Sequence, residues 1–377
     1  MVKKIGIIII GVLLGIGLYF AAAHNFPALP THKKEVIGFL PYWLLNKANK
    51  DYSKYISTLT YFGLIIDGDG KILKKNNPQE EEPGWNALNS GKVDSIFSNA
   101  KDKNVVLSLL VFAGDEESIG MFLNHPAQSS KNLVEDIAPL MRRYGFTNLN
   151  LDIESVKEAS DSARASFVQF VQGIKNNLDE KELGTLTLEI SPTDIIKKRI
   201  INVARITPIV DTVVLMAYDY HYSGSFVTGP VAPLFGAGTI SEFDTEAAIQ
   251  KAIKIIPPGN LILGVPLYGY EWESINSTPR SAVIPGSGIV ASNFRAEKFL
   301  ESCSTCSAEL DIDAHEQYII YKDQEVNTYH QIFYPDKNAI KDKLNFVSHE
   351  RLGGIALWAL GYEGDTILNP IAGWKLF

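Results

Sequence analysis

Eight short apolar runs, rich in β-branched and aromatic residues, alternate with stretches of helical periodicity along most of this 377-residue chain. That alternation restricts the fold more than any other feature. The runs are Val36–Trp43, Thr58–Ile66, Val105–Phe112, Asn148–Glu154, Thr185–Ser191, Thr212–Tyr220, Leu261–Tyr270 and Gly354–Leu360. Apolar residues recur at helical spacing over Val93–Ala100, Leu133–Tyr144, Ala163–Leu178, Thr245–Ile256 and Ile340–Arg351. Asp94, Asp161 and Asp244 stand where an acid favours a helix start. Repeated βα order implies a parallel sheet, and eight such units close into a barrel. An open doubly wound sheet would carry a Gly-rich phosphate turn after its first strand. Here the first run ends Gly38-Phe39-Leu40-Pro41-Tyr42-Trp43, which cannot make that turn. The expected fold class is α/β, a (β/α)8 TIM barrel over residues 35–377.

The interval from about 271 to 336 is too long for a plain βα unit. It holds a Ser/Pro/Gly-rich stretch, two strand-like runs (Gln317–Tyr321 and Thr328–Tyr334) and both cysteines, Cys303 and Cys306. It reads as a small α+β insertion after the seventh strand. A C-x-x-C pair is open to half a zinc site, a redox pair or a local disulfide. With no second Cys/His pair in suitable spacing, a loop-pinning disulfide is the preferred reading.

Lys3 and Lys4 precede an apolar run from Ile5 to Phe20, followed by Ala21-Ala22-Ala23. A basic start, an apolar core and small residues make a secretory signal, yet the run also approaches the roughly 17–25 residues of a membrane span. Residues 1–23 are therefore expected to be a cleaved signal peptide or a retained anchor, and 24–34 a linker. Either option puts the remainder outside the cytoplasm, secreted or membrane-held. The net charge of −8, with no long basic run after the first residues, argues against nucleic acid as a partner.

The chemistry is concentrated in Asn148-Leu149-Asn150-Leu151-Asp152-Ile153-Glu154. Side chains alternate along a strand, so Asn150, Asp152 and Glu154 share one face and the three aliphatic residues the other. In a barrel the polar face points inward, where it is costly unless the groups bond one another or a ligand. The series climbs to the strand's C-terminal end, where barrel enzymes keep their active sites. Asp152 and Glu154 lie roughly 6–7 Å apart on the same side of any substrate. An ordinary retaining glycosidase places its two carboxyls on opposite sides of the scissile bond. A mechanism in which the substrate's own acetamido group attacks needs only an acid and a helper on one side. Glu154 would protonate the leaving oxygen. Asp152 would hold the acetamido nitrogen and raise the Glu154 pKa.

This segment resembles the family 18 glycoside hydrolases, the chitinases and related endo-N-acetylglucosaminidases, whose fourth-strand signature is D-G-x-D-x-D-x-E. Three further segments are similar to that family. Gly38-Phe39-Leu40-Pro41-Tyr42-Trp43 resembles its first strand, and Met216-Ala217-Tyr218-Asp219-Tyr220 its sixth-strand M-x-Y-D. Gly353-Gly354-Ile355-Ala356-Leu357-Trp358-Ala359-Leu360-Gly361 resembles its last strand. The resemblance implies Glu154 as the acid and Asp152 as the acetamido partner. It further implies Tyr218 as a hydrogen bond to the acetamido oxygen, Asp219 as a sugar contact and Trp358 as the stacking floor. Phe39, Trp43 and Met216 join the expected substrate-binding set.

Thr147, Asn148 and Asn150 depart from the signature. Asn150 replaces an inner Asp whose charge helps cycle the pKa of Asp152, and is carried as a candidate catalytic position. The N-x-D-x-E variant resembles the family's bacterial cell-wall branch, including spore-cortex and germination-type N-acetylglucosaminidases. The expected function is hydrolysis of β-1,4-linked N-acetylglucosamine glycans, peptidoglycan- or chitin-like, by a monomer without cofactor or metal. A glycan-binding barrel without catalysis is the alternative. Glu189, near the end of the fifth strand, and the turn-like Asp67-Gly68-Asp69-Gly70 receive less weight.

Overall fold

The β-branched and aromatic runs form eight strands: β1 (Glu35–Pro41), β2 (Thr58–Ile65), β3 (Val106–Ala113), β4 (Asn148–Ile153), β5 (Thr185–Ile190), β6 (Thr212–Leu215), β7 (Leu261–Pro266) and β8 (Gly354–Trp358). Each pairs in parallel with its neighbours in chain order, and β8 returns to β1, closing the barrel. The computed structural model describes residues 34–238, 243–325 and 327–375. The expected signal or anchor, and all of the linker but Lys34, lie outside the described residues.

Alternation places the aliphatic half of each strand against the surrounding helices. Leu149, Leu151 and Ile153 of β4 are buried with Leu133, Val134, Ile137 and Met141 of one helix and Phe167, Phe170, Val171 and Ile174 of the next. Full burial of such a side chain stabilises by roughly 1.5–3 kcal/mol. The first of those helices (Pro126–Tyr144) starts on a proline whose missing N–H costs nothing at that position. It stops at Gly145, whose left-handed backbone (φ 73°) a side chain would disfavour. Ser160 caps the second, Asp161–Glu180, by accepting from Ala163 N at 3.1 Å. Asp244 caps Thr245–Ala252 in the same way. Inside the barrel Ile37, Phe39, Leu110, Val214, Ile262 and Ala356 form a smaller apolar plug.

Two runs end earlier than their hydropathy suggests. β6 stops at Leu215: Met216 N still bonds Ile190 O of β5, but Ala217 N turns back to Leu215 O. The Met216–Asp219 segment is thus a loop at the barrel mouth. The seventh run is two strands. β7 ends at Pro266, which has no N–H to continue a ladder. A separate strand, Tyr268–Ser274, then leaves the barrel. It joins an antiparallel sheet in the order Ile289–Ser292, Tyr268–Ser274, Tyr329–Tyr334, Glu316–Lys322, Ala308–Asp311. One helix, Asn293–Ser302, accompanies the sheet. This α+β unit therefore begins at Tyr268, three residues before the expected boundary. Cys303 and Cys306 form a disulfide at the end of that helix.

Candidate active site

The polar series on β4 rises through the barrel in steps. Asn148, part-exposed, bonds Ser108 Oγ and donates to Thr185 and Thr187. Asn150 is fully buried and donates Nδ2 to Ser108 Oγ at 3.0 Å, while its Oδ1 has no partner. Asp152 is 5 % exposed and its Oδ1 is likewise unpartnered. Glu154 follows the last strand residue. Its N–H donates to Ala113 O at 2.9 Å, and the next two residues are tied to the Glu116 carboxylate. The backbone carrying Glu154 is therefore pinned on both sides, while its side chain reaches open solvent.

Two adjoining cavities flank that carboxylate. An inner lobe of about 230 Å³ is walled by Asp152, Phe39, Phe62, Leu110, Phe112 and Trp358. An outer lobe of about 440 Å³ is walled by Ser191, Asp194, Arg199, Tyr220 and Phe243, among others. Glu154, Glu189, Met216, Tyr218 and Asp219 line both. Together they fall in the size range of ligand clefts. Trp358 forms one wall of the inner lobe, with Phe62 and Phe39 at 5.1 and 5.7 Å ring separation. Trp43 lines neither lobe. It is exposed and packs edge-on against Phe62 and Trp358 at 5.5 and 6.3 Å. Asn150 also lines neither lobe, since it lies one layer deeper in the barrel.

Tyr218 has its place because β7 carries glycine opposite it. A Cβ on Gly264 would stand 3.0 Å from the Tyr218 ring and 2.8 Å from Leu215 O. Asp219 has left-handed backbone (φ 58°), uncommon for a residue with a side chain. Tyr268 and Tyr270 hold it there, donating to Asp219 Oδ1 at 2.5 and 3.0 Å. Both tyrosines come from the α+β unit, so that unit completes the site. Asp194 receives Ser191 N at 2.7 Å and Ser191 Oγ at 2.8 Å, forming a capping box.

Among the described residues, five carboxyls line the two lobes against one guanidinium, Arg199. Burial raises the pKa of Asp152 well above the ordinary carboxylate range, with Glu154 and Asp194 adding repulsion. It raises Glu154 as well, followed by the charges of Asp219 and Asp194. The Glu154 carboxyl is accessible to solvent, which tempers the shift, but the protein around it and the charges of Asp219 and Asp194 give it its upward direction. Asp194, Asp219 and Glu189 are raised chiefly by burial too. Burial also pushes the Tyr218 hydroxyl well up, so it remains a neutral donor. The site can thus hold protonated carboxyls at pH values where free ones are ionised.

The sequence reading gave Glu189 little weight and missed Asp194, Tyr268, Tyr270, Phe62 and Phe112. A signal for Glu189 was present, because Thr187 and Glu189 alternate with Leu186, Leu188 and Ile190 as the β4 polar series does.

A 26% identical relative is the cortical fragment-lytic enzyme of Bacillus subtilis (strain 168), aligned over 84% of this chain and 67% of its own. Among solved structures, a Group IV chitinase of Ostrinia furnacalis superposes with a TM-score of 0.78 at 19% identity, covering 91% of this chain and all of its own. The spore cortex-lytic enzyme SleL of Bacillus megaterium QM B1551 superposes with a TM-score of 0.68 at 20% identity, over 93% of this chain and 74% of its own. These superpositions establish the shared barrel. The model of the glycosyl hydrolases family 18 matches residues 35–363, from β1 through β8 and the carboxyl-bearing strand between them. The chain therefore belongs to the glycosyl hydrolases family 18 and is a glycoside hydrolase.

Proposed function

We propose that the protein cleaves β-1,4-linked N-acetylglucosamine glycans of the peptidoglycan type by substrate-assisted, retaining catalysis. The observation that carries this reading is the unpartnered, buried Oδ1 of Asp152 beside the inner lobe, one strand step below Glu154. A buried acceptor without a donor is costly, and an acetamido N–H seated in that lobe would satisfy it. Glu154, carrying its proton at the junction of the lobes, would protonate the glycosidic oxygen and later deprotonate the attacking water. Asp152 would align the acetamido group and offset the positive charge it acquires. Tyr218 would donate to the acetamido oxygen, placing that oxygen for attack on the anomeric carbon. Trp358 offers an apolar face to the sugar ring, with Met216 and Asp219 along its edge. Trp43, off the lobe walls, would support Trp358, while Phe39 lines the inner lobe beside it. The cortical fragment-lytic relative tilts the substrate toward cell-wall fragments. We place the enzyme outside the cytoplasm, secreted or held by residues 1–23, as a monomer needing no metal.

The test is mass spectrometry of products from chitooligosaccharides and from purified peptidoglycan, with wild type and Glu154→Gln in parallel. Products ending in reducing N-acetylglucosamine are expected from wild type. Glu154→Gln should lose at least about 10²–10⁴-fold in kcat while still binding glycan. A Glu154→Gln protein of near wild-type activity would end this reading.

A further inference from the structure

Glu189 is a buried carboxyl to which the proposed reaction assigns no task. The β4–β5 register pairs Asn150 with Thr187 and Leu151 with Leu188. Continued one step beyond the last paired residues, this register sets Asp152 opposite Glu189 on strands about 4.8 Å apart, and the Asp152 charge acts on Glu189. Both point into the barrel, 5 % and 2 % exposed. Neither Glu189 oxygen has a hydrogen-bond partner, and nor does Asp152 Oδ1.

Among the described residues, no counter-charge stands beside the pair. On the β3 side the neighbour of Asp152 is Phe112, and on the β6 side the neighbour of Glu189 is Val214. The polar groups facing the pair are Glu154 above it, Tyr218 and Asp219 from the loop after β6, and Asp194 from the short helix Pro192–Ile196 after β5. Arg199 lines only the outer lobe, where Asp194 also lies. Two carboxylates placed this way cannot both ionise at ordinary cost. A single proton lying between them would satisfy two of the three orphaned oxygens at once.

We propose that Glu189 is a positioning residue for the hydrolysis, sharing one proton with Asp152 across the β4–β5 gap and keeping it while Asp152 is ionised toward the acetamido nitrogen. This rests on the role assigned to Asp152 under the proposed function. The proton balance closes without another reactant. The Asp152 O–H bond breaks as a Glu189 O–H bond forms, and the pair carries one negative charge before and after. Asn150, one layer below, has no titratable proton and cannot serve. Glu189 also lines both lobes, so it borders the cleft on either side of Glu154.

The experiment is a carboxyl-carbon NMR titration of the full chain labelled in Asp and Glu. In wild type the Asp152 and Glu189 signals should each show two inflections at common pH values, separated by more than about one unit. In Glu189→Gln the Asp152 signal should collapse to one step at lower pH, and Asp152→Asn should do the same to Glu189. The acid limb of the kcat profile of Glu189→Gln should move down by about one pH unit or more, with KM little changed. A single-step Asp152 titration in wild type, or one in Glu189→Gln that superimposes on wild type, overturns the proposal. Should Glu189→Gln not fold, the wild-type and Asp152→Asn titrations decide. The titration needs no turnover. A wild type that cleaves nothing yet shows the coupled steps refutes the hydrolytic reading and leaves the pair standing.

Discussion

Glu154 retains its proton beyond the pH at which a free glutamate loses it, because the protein around its carboxyl and then Asp219 and Asp194 oppose its ionisation. The alkaline limb of kcat/KM should therefore lie above the ordinary Glu pKa of 4.5. In Asp219→Asn, with one negative neighbour removed, that limb should move down by about one pH unit; a pH–rate profile that stays in place would contradict this origin of the shift. Trp358→Ala removes the aromatic wall of the inner lobe without touching a proton. It should weaken glycan binding by about 1 kcal/mol, read as a rise in Kd with the pH limbs unmoved. Asp152 and Glu154 were legible in the sequence because a two-residue alternation dictates their face. Asp194 and the Asp219 tyrosines were not, because their proximity depends on loops that approach one another only in the folded chain.

At the scale of elements, the α+β unit is joined to the barrel through a buried ion pair. Glu316 accepts from Val231 N and Ala232 N at 2.9 and 3.0 Å, and Lys343 Nζ lies 3.8 Å away, donating to Ala232 O. Lys343 belongs to the helix Lys337–His349, so one pair links that helix, the insertion strand Glu316–Lys322 and the segment after β6. Glu316→Ala leaves Lys343, whose charged form burial already disfavours, without its partner in the interior. It should lower unfolding free energy by about 3–5 kcal/mol, measured by urea denaturation; a loss under about 1 kcal/mol would mean water reaches the site. The break of the seventh run at Pro266 shows why this unit was only partly visible. A continuous apolar stretch reports burial, and both the barrel and the second sheet bury it. Proline at the junction marks where one ladder ends, and the partner strand Tyr329–Tyr334, far along the chain, decides where the next begins.

For the whole molecule, pH dependence follows from the number of buried acids. Glu316 is pushed up to about 7 from an ordinary 4.5, chiefly by burial. Asp152, Glu154, Glu189, Asp194 and Asp219 are raised as well. Where the folded pKa exceeds the unfolded one, the unfolded chain releases its proton first as pH rises, so stability declines between the two values. For Glu316 that window runs from about 4.5 to about 7. Exposed Asp51, held at about 2 by Lys103, acts in the opposite sense only at much lower pH. The melting temperature should thus be higher near pH 5 than near pH 8; calorimetry showing it rise over that interval would refute the assignment.

The sequence by itself determined the barrel, the order of its strands and the face on which Asn150, Asp152 and Glu154 lie, because periodicity and βα alternation are local properties that packing preserves. The tertiary structure alone decided that Asn150 and Trp43 stand off the cleft walls, that Tyr268 and Tyr270 reach across from a second sheet to hold Asp219, and that Glu189 stands beside Asp152. Those relations depend on strand register and loop closure, which bring together residues tens of positions apart, and no local pattern of hydropathy records which of them will meet.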